Sequence, residues 1–96
     1  MRPSEAFEKH RAEIRRLARS RRAANPRVFG STARGEDVEG SDLDILVDTM
    51  PGATLFDLGG LFEDLKASLA VEIDLVTIRE LHPAIRDRVL AEAKSI

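Results

Sequence analysis

The chain contains no cysteine, tryptophan or tyrosine, and its aromatic residues are four phenylalanines. Without cysteine there is no disulfide, no thiolate zinc site and no cysteine nucleophile, and a reducing cytoplasm is compatible with the composition. So few aromatic rings leave little on which nucleobases can stack, which argues against nucleic acid as a direct partner. No segment approaches the roughly 20 apolar residues of a membrane span, and the basic N-terminus is not followed by an apolar signal segment. The expectation is a soluble, cytoplasmic protein with no membrane partner. At 96 residues it is expected to form a single domain over 1–96, close to the lower size for an independent core. Little chain remains for a separate substrate-binding lobe, so the molecule it modifies is expected to complete the site.

The net charge of −2 conceals a division. Residues 1–35 carry ten Arg or Lys against three Asp or Glu, whereas residues 36–96 carry five against fourteen. The basic third is expected to face a triphosphate or an acidic protein surface. A solvated helix face is the plain alternative.

Ser4 is placed to cap a helix with Phe7, Ile14, Leu17 and Ala18 inward and Arg11, Arg15, Arg19 and Arg22 outward, ending near Ala24 because Asn25-Pro26 disfavours continuation. Arg27 to Phe29 reads as a short strand, Ser31 to Arg34 as one helical turn closed by Gly35, and Glu36 to Ser41 as a polar loop. From Asp42 to Asp48 the period is two: Leu43, Ile45 and Val47 on one face, Asp42 and Asp44 on the other. Thr54, with Asp57 in the first turn, caps a helix striped by Leu55, Leu58, Phe62, Leu65 and Leu69. Gly59-Gly60 marks close packing or a soft spot within it. Val71 to Thr77 alternates again, and Pro83 opens a last helix carrying Ile85, Val89 and Leu90. The pattern predicts an α+β fold: a small sheet covered on one face by helices, with Asp42, Asp44 and Asp74 on the open face.

Gly30-Ser31 precedes Asp42-Leu43-Asp44 with ten residues between. Aspartates at i and i+2 of a strand project from the same face, roughly 6.6 Å apart at the backbone, so their carboxylates can converge on a pair of divalent ions. Two such ions stabilise both the attacking and the leaving oxygen of an in-line phosphoryl displacement. In this reading Asp42 and Asp44 share two Mg²⁺ ions, and Asp74, thirty residues beyond Asp44, holds the catalytic ion and helps take the acceptor's proton. The Ser31 hydroxyl and nearby amides bind the β- and γ-phosphates of the nucleotide, and Gly30 lets the backbone approach. Arg34 reaches a phosphate or pairs with Glu36 or Asp37. Glu72 shares the face of Asp74 but reads as an exposed strand residue, and neither His10 nor His82 has a partner at metal-ligand spacing.

The run Phe29-Gly30-Ser31-Thr32-Ala33-Arg34-Gly35 through Ser41-Asp42-Leu43-Asp44-Ile45-Leu46-Val47, with Val71-Glu72-Ile73-Asp74-Leu75-Val76 and Leu81-His82-Pro83, resembles the minimal nucleotidyltransferase family of the DNA polymerase beta-like superfamily over nearly the whole chain. The resemblance implies a small mixed β-sheet with helices packed on one face. It implies transfer of AMP from ATP to a hydroxyl, with a tyrosine of a HEPN-domain ribonuclease toxin as the acceptor and the chain as its antitoxin. Two other functions fit the sequence: a binding antitoxin acting by occlusion, and nucleotidyl transfer to a small molecule or RNA. A small-molecule acceptor generally calls for an additional enclosing domain. The sequence leaves base preference and stoichiometry open and is compatible with a homo-oligomer.

Overall fold

The computed structural model describes residues 1–96. Helices α1 (Pro3–Lys9) and α2 (Arg11–Ser20) lead into strand β1 (Ala23–Phe29) and the short helix α3 (Gly30–Arg34). Strand β2 (Leu43–Thr49), helix α4 (Leu55–Leu69), strand β3 (Ile73–Thr77), a 3₁₀ turn (Ile78–Glu80), helix α5 (Pro83–Glu92) and strand β4 (Lys94–Ser95) follow. The sheet order is β3-β2-β1-β4, with β1 antiparallel to β2 and β4, and β2 parallel to β3 across the α4 crossover.

The period-two pattern of β2 sends its residues where it predicts. Leu43, Ile45 and Val47 are buried in one cluster with Ile14 and Leu17 of α2 and Leu61, Leu65 and Leu69 of α4. The opposite face carries Asp44 at one end and, one pleat further along, Leu46, which packs with Leu81 and Val89 beneath α5. That face is therefore open only around the aspartates. No helix is long and apolar enough to cross a membrane.

Four local expectations change. The first helix is two: the chain turns at His10 (φ −118°), and α1 is anchored by Asp37, whose buried carboxylate accepts the Ser4 amide at 2.8 Å. Ser4 thus lies inside α1, with Arg2 at its N-cap, and the capping oxygen comes from a distant loop. Second, α2 stops at Ser20, and Ala23 and Ala24 pair with Thr49 and Asp48 in the sheet. Ladder pairing outweighs alanine's helix preference, as tertiary context commonly does. Asn25-Pro26 then forms a bulge within β1, where register shifts between Ala24 and Arg27 and a residue without an N–H is tolerated. Third, Leu55 stands 85% exposed while Leu61 takes the buried position in α4. Fourth, β4 adds a two-residue edge strand, too short to show a period.

Two other devices appear as read. Thr54 accepts the Asp57 amide and Asp57 accepts the Thr54 amide in a reciprocal cap. Gly60 is a point of close approach: a Cβ there would lie 2.6 Å from the Arg21 guanidinium carbon. Arg21 in turn pairs with Asp64 at 2.9 Å, tying α2 to α4.

Candidate active site

The parallel register of β2 and β3 sets Asp44 directly beside Asp74, and the antiparallel register of β1 and β2 sets Phe29 beside Asp44. The residue after Phe29 is Gly30, so the turn leaving β1 closes over the Asp44 carboxylate. Its φ of +68° belongs to the left-handed region, and a Cβ at Gly30 would lie 2.2 Å from Asp44 Oδ2. Only glycine meets both demands. Ser31 follows half-buried in the first turn of α3, and its carbonyl accepts the Glu36 amide at 2.8 Å.

Asp42 lies exposed just ahead of β2, Asp44 is half-buried, and Asp74 is exposed. Burial, and then the negative charges of Asp74 and Asp42, push the Asp44 carboxyl up to about 6, against a smaller pull from Arg34. Burial and like-charge neighbours both disfavour the ionised carboxylate, and no cation is paired with it to offset them. The side chains are not gathered around a point: no three His, Asp or Glu groups stand together as they would around one ion. The structure thus brings Asp44, Asp74 and Gly30 into contact range and leaves Asp42 at the rim.

Arg34 bridges two carboxylates, with Nε 2.7 Å from Glu36 Oε1 and Nη1 3.1 Å from Glu92 Oε2. The Glu36 pairing is one of those weighed from sequence; Asp37 is engaged with Ser4 instead. Glu92 was not singled out from sequence. From the last turn of α5 it also accepts the Gly30 amide at 3.0 Å. Burial works to raise the Glu92 carboxyl, but the hydrogen bonds from Gly30 and Arg34 outweigh it and hold the group below its usual range. Nothing in the sequence links positions 58 and 62 residues apart, so only the fold reveals the contact.

The remaining residues behave as bystanders. Glu72 is exposed, its carbonyl accepting the Leu43 amide at 2.8 Å. His82 caps α5 through Nδ1, which accepts the Ala84 amide at 3.0 Å. The arginines of α2 sit on the far side of the sheet, because α2 packs on the face opposite Asp44. They do not face the aspartates, which removes a triphosphate at that site as their ligand. Arg11 pairs with Glu8 and lies 4.7 Å from the Phe7 ring.

The mixed sheet thus places a left-handed glycine turn against Asp44, with Asp74 on the neighbouring parallel strand and Asp42 at the rim. Residues 8–96 match the family described as nucleotidyltransferase domain. The chain belongs to that family and is an enzyme of the nucleotidyltransferase class. It is 44% identical over 69 residues to a Methanocaldococcus jannaschii protein named "Putative protein adenylyltransferase MJ0435", covering 72% of this chain and 74% of that one. It is 45% identical over 65 residues to "Protein adenylyltransferase MntA" of Thermococcus cleftensis, covering 68% and 66%. Its fold matches a solved structure described as "Structure of putative minimal nucleotidyltransferase", with a TM-score of 0.86, 41% identity and 97% and 95% of the two chains covered. The fold also matches a toxin–antitoxin MntA-HepT crystal structure at a TM-score of 0.67, with 21% identity over 92% and 69% of the chains.

Proposed function

We propose that this chain transfers AMP from ATP to a hydroxyl of a partner protein, and that the partner is a HEPN-domain toxin which the chain, as antitoxin, modifies on tyrosine. The observation that carries the reading is the closure of the Gly30 turn over Asp44, with Asp74 in register alongside. The two relatives named as protein adenylyltransferases support a protein as acceptor, and the fold shared with the MntA-HepT antitoxin supports the toxin as that protein.

The donor set suits Mg²⁺. Three carboxylates offer hard oxygen ligands, and a divalent ion would offset the mutual repulsion of Asp44, Asp74 and Asp42. Asp42, Asp44 and Asp74 would hold two Mg²⁺ ions, which when bound polarise the transferring phosphoryl group and neutralise its developing charge. The chain's own part is positional. Ser31 and the Gly30 turn seat the phosphates beside the carboxylates, and Arg34 supplies the nearest positive charge. Asp74, exposed on the edge strand, would accept the proton of the incoming hydroxyl. The exposed aspartates at the rim leave the acceptor side open to a protein rather than enclosing a small molecule.

Incubation with labelled ATP, Mg²⁺ and a HEPN-type toxin tests the reading. Label on a toxin tyrosine, dependent on Mg²⁺, is the expected result. A stable complex that neutralises the toxin with no label incorporated would overturn transfer in favour of occlusion.

A further inference from the structure

We propose that Glu92 is a positioning residue for the nucleotide, coupling the end of α5 to the turn that closes over the carboxylates; this rests on the nucleotidyl-transfer reading above. Glu92 makes three hydrogen bonds: Oε1 accepts the Gly30 amide at 3.0 Å and Arg34 Nη1 at 3.2 Å, and Oε2 accepts the same Nη1 at 3.1 Å. Its side chain is 17% exposed, so both oxygens are spent on these two partners and little on water. The residues it holds are the two ends of one structural unit, since Gly30 opens α3 and Arg34 closes it.

Geometry gives the contact its consequence. Gly30 lies so close to Asp44 that no side-chain atom fits between them, so a small movement of the turn changes the space between the phosphate-seating backbone and the carboxylates. β1 alone does not fix the turn, because the strand ends at Phe29 and a left-handed glycine is free to swing. Glu92 removes that freedom by bonding the Gly30 amide from outside the turn. The same carboxylate, with Glu36, fixes the direction of the Arg34 guanidinium, a planar fork pre-organised for oxygen pairs. Strand β4, which begins two residues after Glu92 and pairs with Arg27 and Val28 of β1, returns α5 to the strand that leads into Gly30. Bound nucleotide therefore meets a turn already set, and does not lose affinity in ordering it.

The role separates from simple fold support by measuring nucleotide affinity directly. Isothermal titration of the chain with Mg²⁺ and a non-hydrolysable ATP analogue is compared for wild type, Glu92→Ala and Glu92→Gln, each well below its melting temperature. Glu92→Ala is expected to weaken binding about tenfold, the loss of roughly one charge-assisted hydrogen bond. Glu92→Gln keeps an acceptor for the Gly30 amide and is expected to recover to within about threefold of wild type. In the Gln variant the Gly30 amide resonance should stay near its wild-type position, and in the Ala variant it should move and exchange faster with solvent. Should the Ala variant not fold, a Gln variant that binds two- to threefold more weakly with a folded spectrum supports the role. Wild-type binding with equal or tighter binding by the variants overturns it, tighter binding showing that Glu92 competes with phosphate. Failure of the wild type to bind nucleotide would overturn the nucleotidyl-transfer reading and this inference with it.

Discussion

Asp44 and Asp48 lie four residues apart on β2, project from the same face of the same strand, and have opposite surroundings. Asp48 faces Arg27, whose guanidinium is 3.2 Å away with a side chain only 11% exposed, and Asn25 donates to its second oxygen at 3.3 Å. Asp44 faces Asp74 and Asp42, with Arg34 turned toward Glu36 and Glu92. One carboxylate is neutralised by its neighbours and belongs to the architecture. The other is half-buried with like charges for company, a state that costs stability.

The contrast breaks most sharply on charge removal. Asp44→Asn or Asp42→Asn is expected to lower transfer about a thousandfold or more, equivalent to roughly 4 kcal/mol of transition-state stabilisation. The metal-free melting temperature should stay unchanged or rise slightly. Wild type should melt higher on adding Mg²⁺ and the variants should gain little. Activity equal to wild type would dismiss the metal role.

The turn comes next. Gly30→Val places a β-branched side chain into the space held by Asp44 Oδ2 and imposes an unfavourable left-handed backbone. Ser31→Ala removes one phosphate contact, worth about 1.5 to 3 kcal/mol if charge-assisted. Nucleotide titration should find valine the more damaging. No change in either variant would reduce the turn to a corner between strand and helix.

At the neutralised end the effect should fall on stability alone. Arg27→Ala leaves Asp48 without its cation and is expected to cost about 1 to 3 kcal/mol in urea unfolding. The melting-temperature gain on adding Mg²⁺ should persist. A variant that unfolds normally but loses its Mg²⁺ response would erase the distinction between the two aspartates.

The smallest effect is on pH dependence. A carboxyl held near 6 in the folded state against about 3.9 unfolded binds more protons folded than unfolded between those values. Stability from this group is therefore greatest at the acid end and falls as pH rises toward 6, then levels. In chelator, the melting temperature of Asp44→Asn minus that of wild type should grow from pH 4 to about 6.5 and then stay constant. A difference that is flat across the range would mean that neither burial nor its neighbours raise the Asp44 carboxyl.

Much of the candidate site was legible because strand periodicity is local. Asp44 and Leu43 are adjacent, and alternation alone sends one to the open face and the other to the core. Gly30-Ser31 was legible as a turn, but the need for glycine against Asp44 depends on the β1–β2 register, a pairing between segments that sequence does not state. The helix ending near Ala24 failed for the related reason that Ala23 and Ala24 are recruited by Thr49 and Asp48. Leu55 stays outside the apolar stripe because it opens α4 at its first position, and Leu61, more than a turn further on, is buried in the core instead.

By itself the sequence determined the kinds of group available and their local facing: two aspartates on strands of alternating pattern with a third just ahead of the first of those strands, a glycine-serine turn before them, capped helices, and no thiol chemistry and little aromatic chemistry to compete. Those are properties of residue identity and of periods two and 3.6, which act over a few residues. Tertiary structure alone decided which groups meet. It set Asp74 beside Asp44, gave Asp48 an arginine ion pair and left Asp44 without one, turned the basic face of α2 away from the aspartates, and brought Glu92 onto Gly30. Each depends on strand register or helix docking over tens of residues, where the balance is struck by buried area and pairing across the whole sheet.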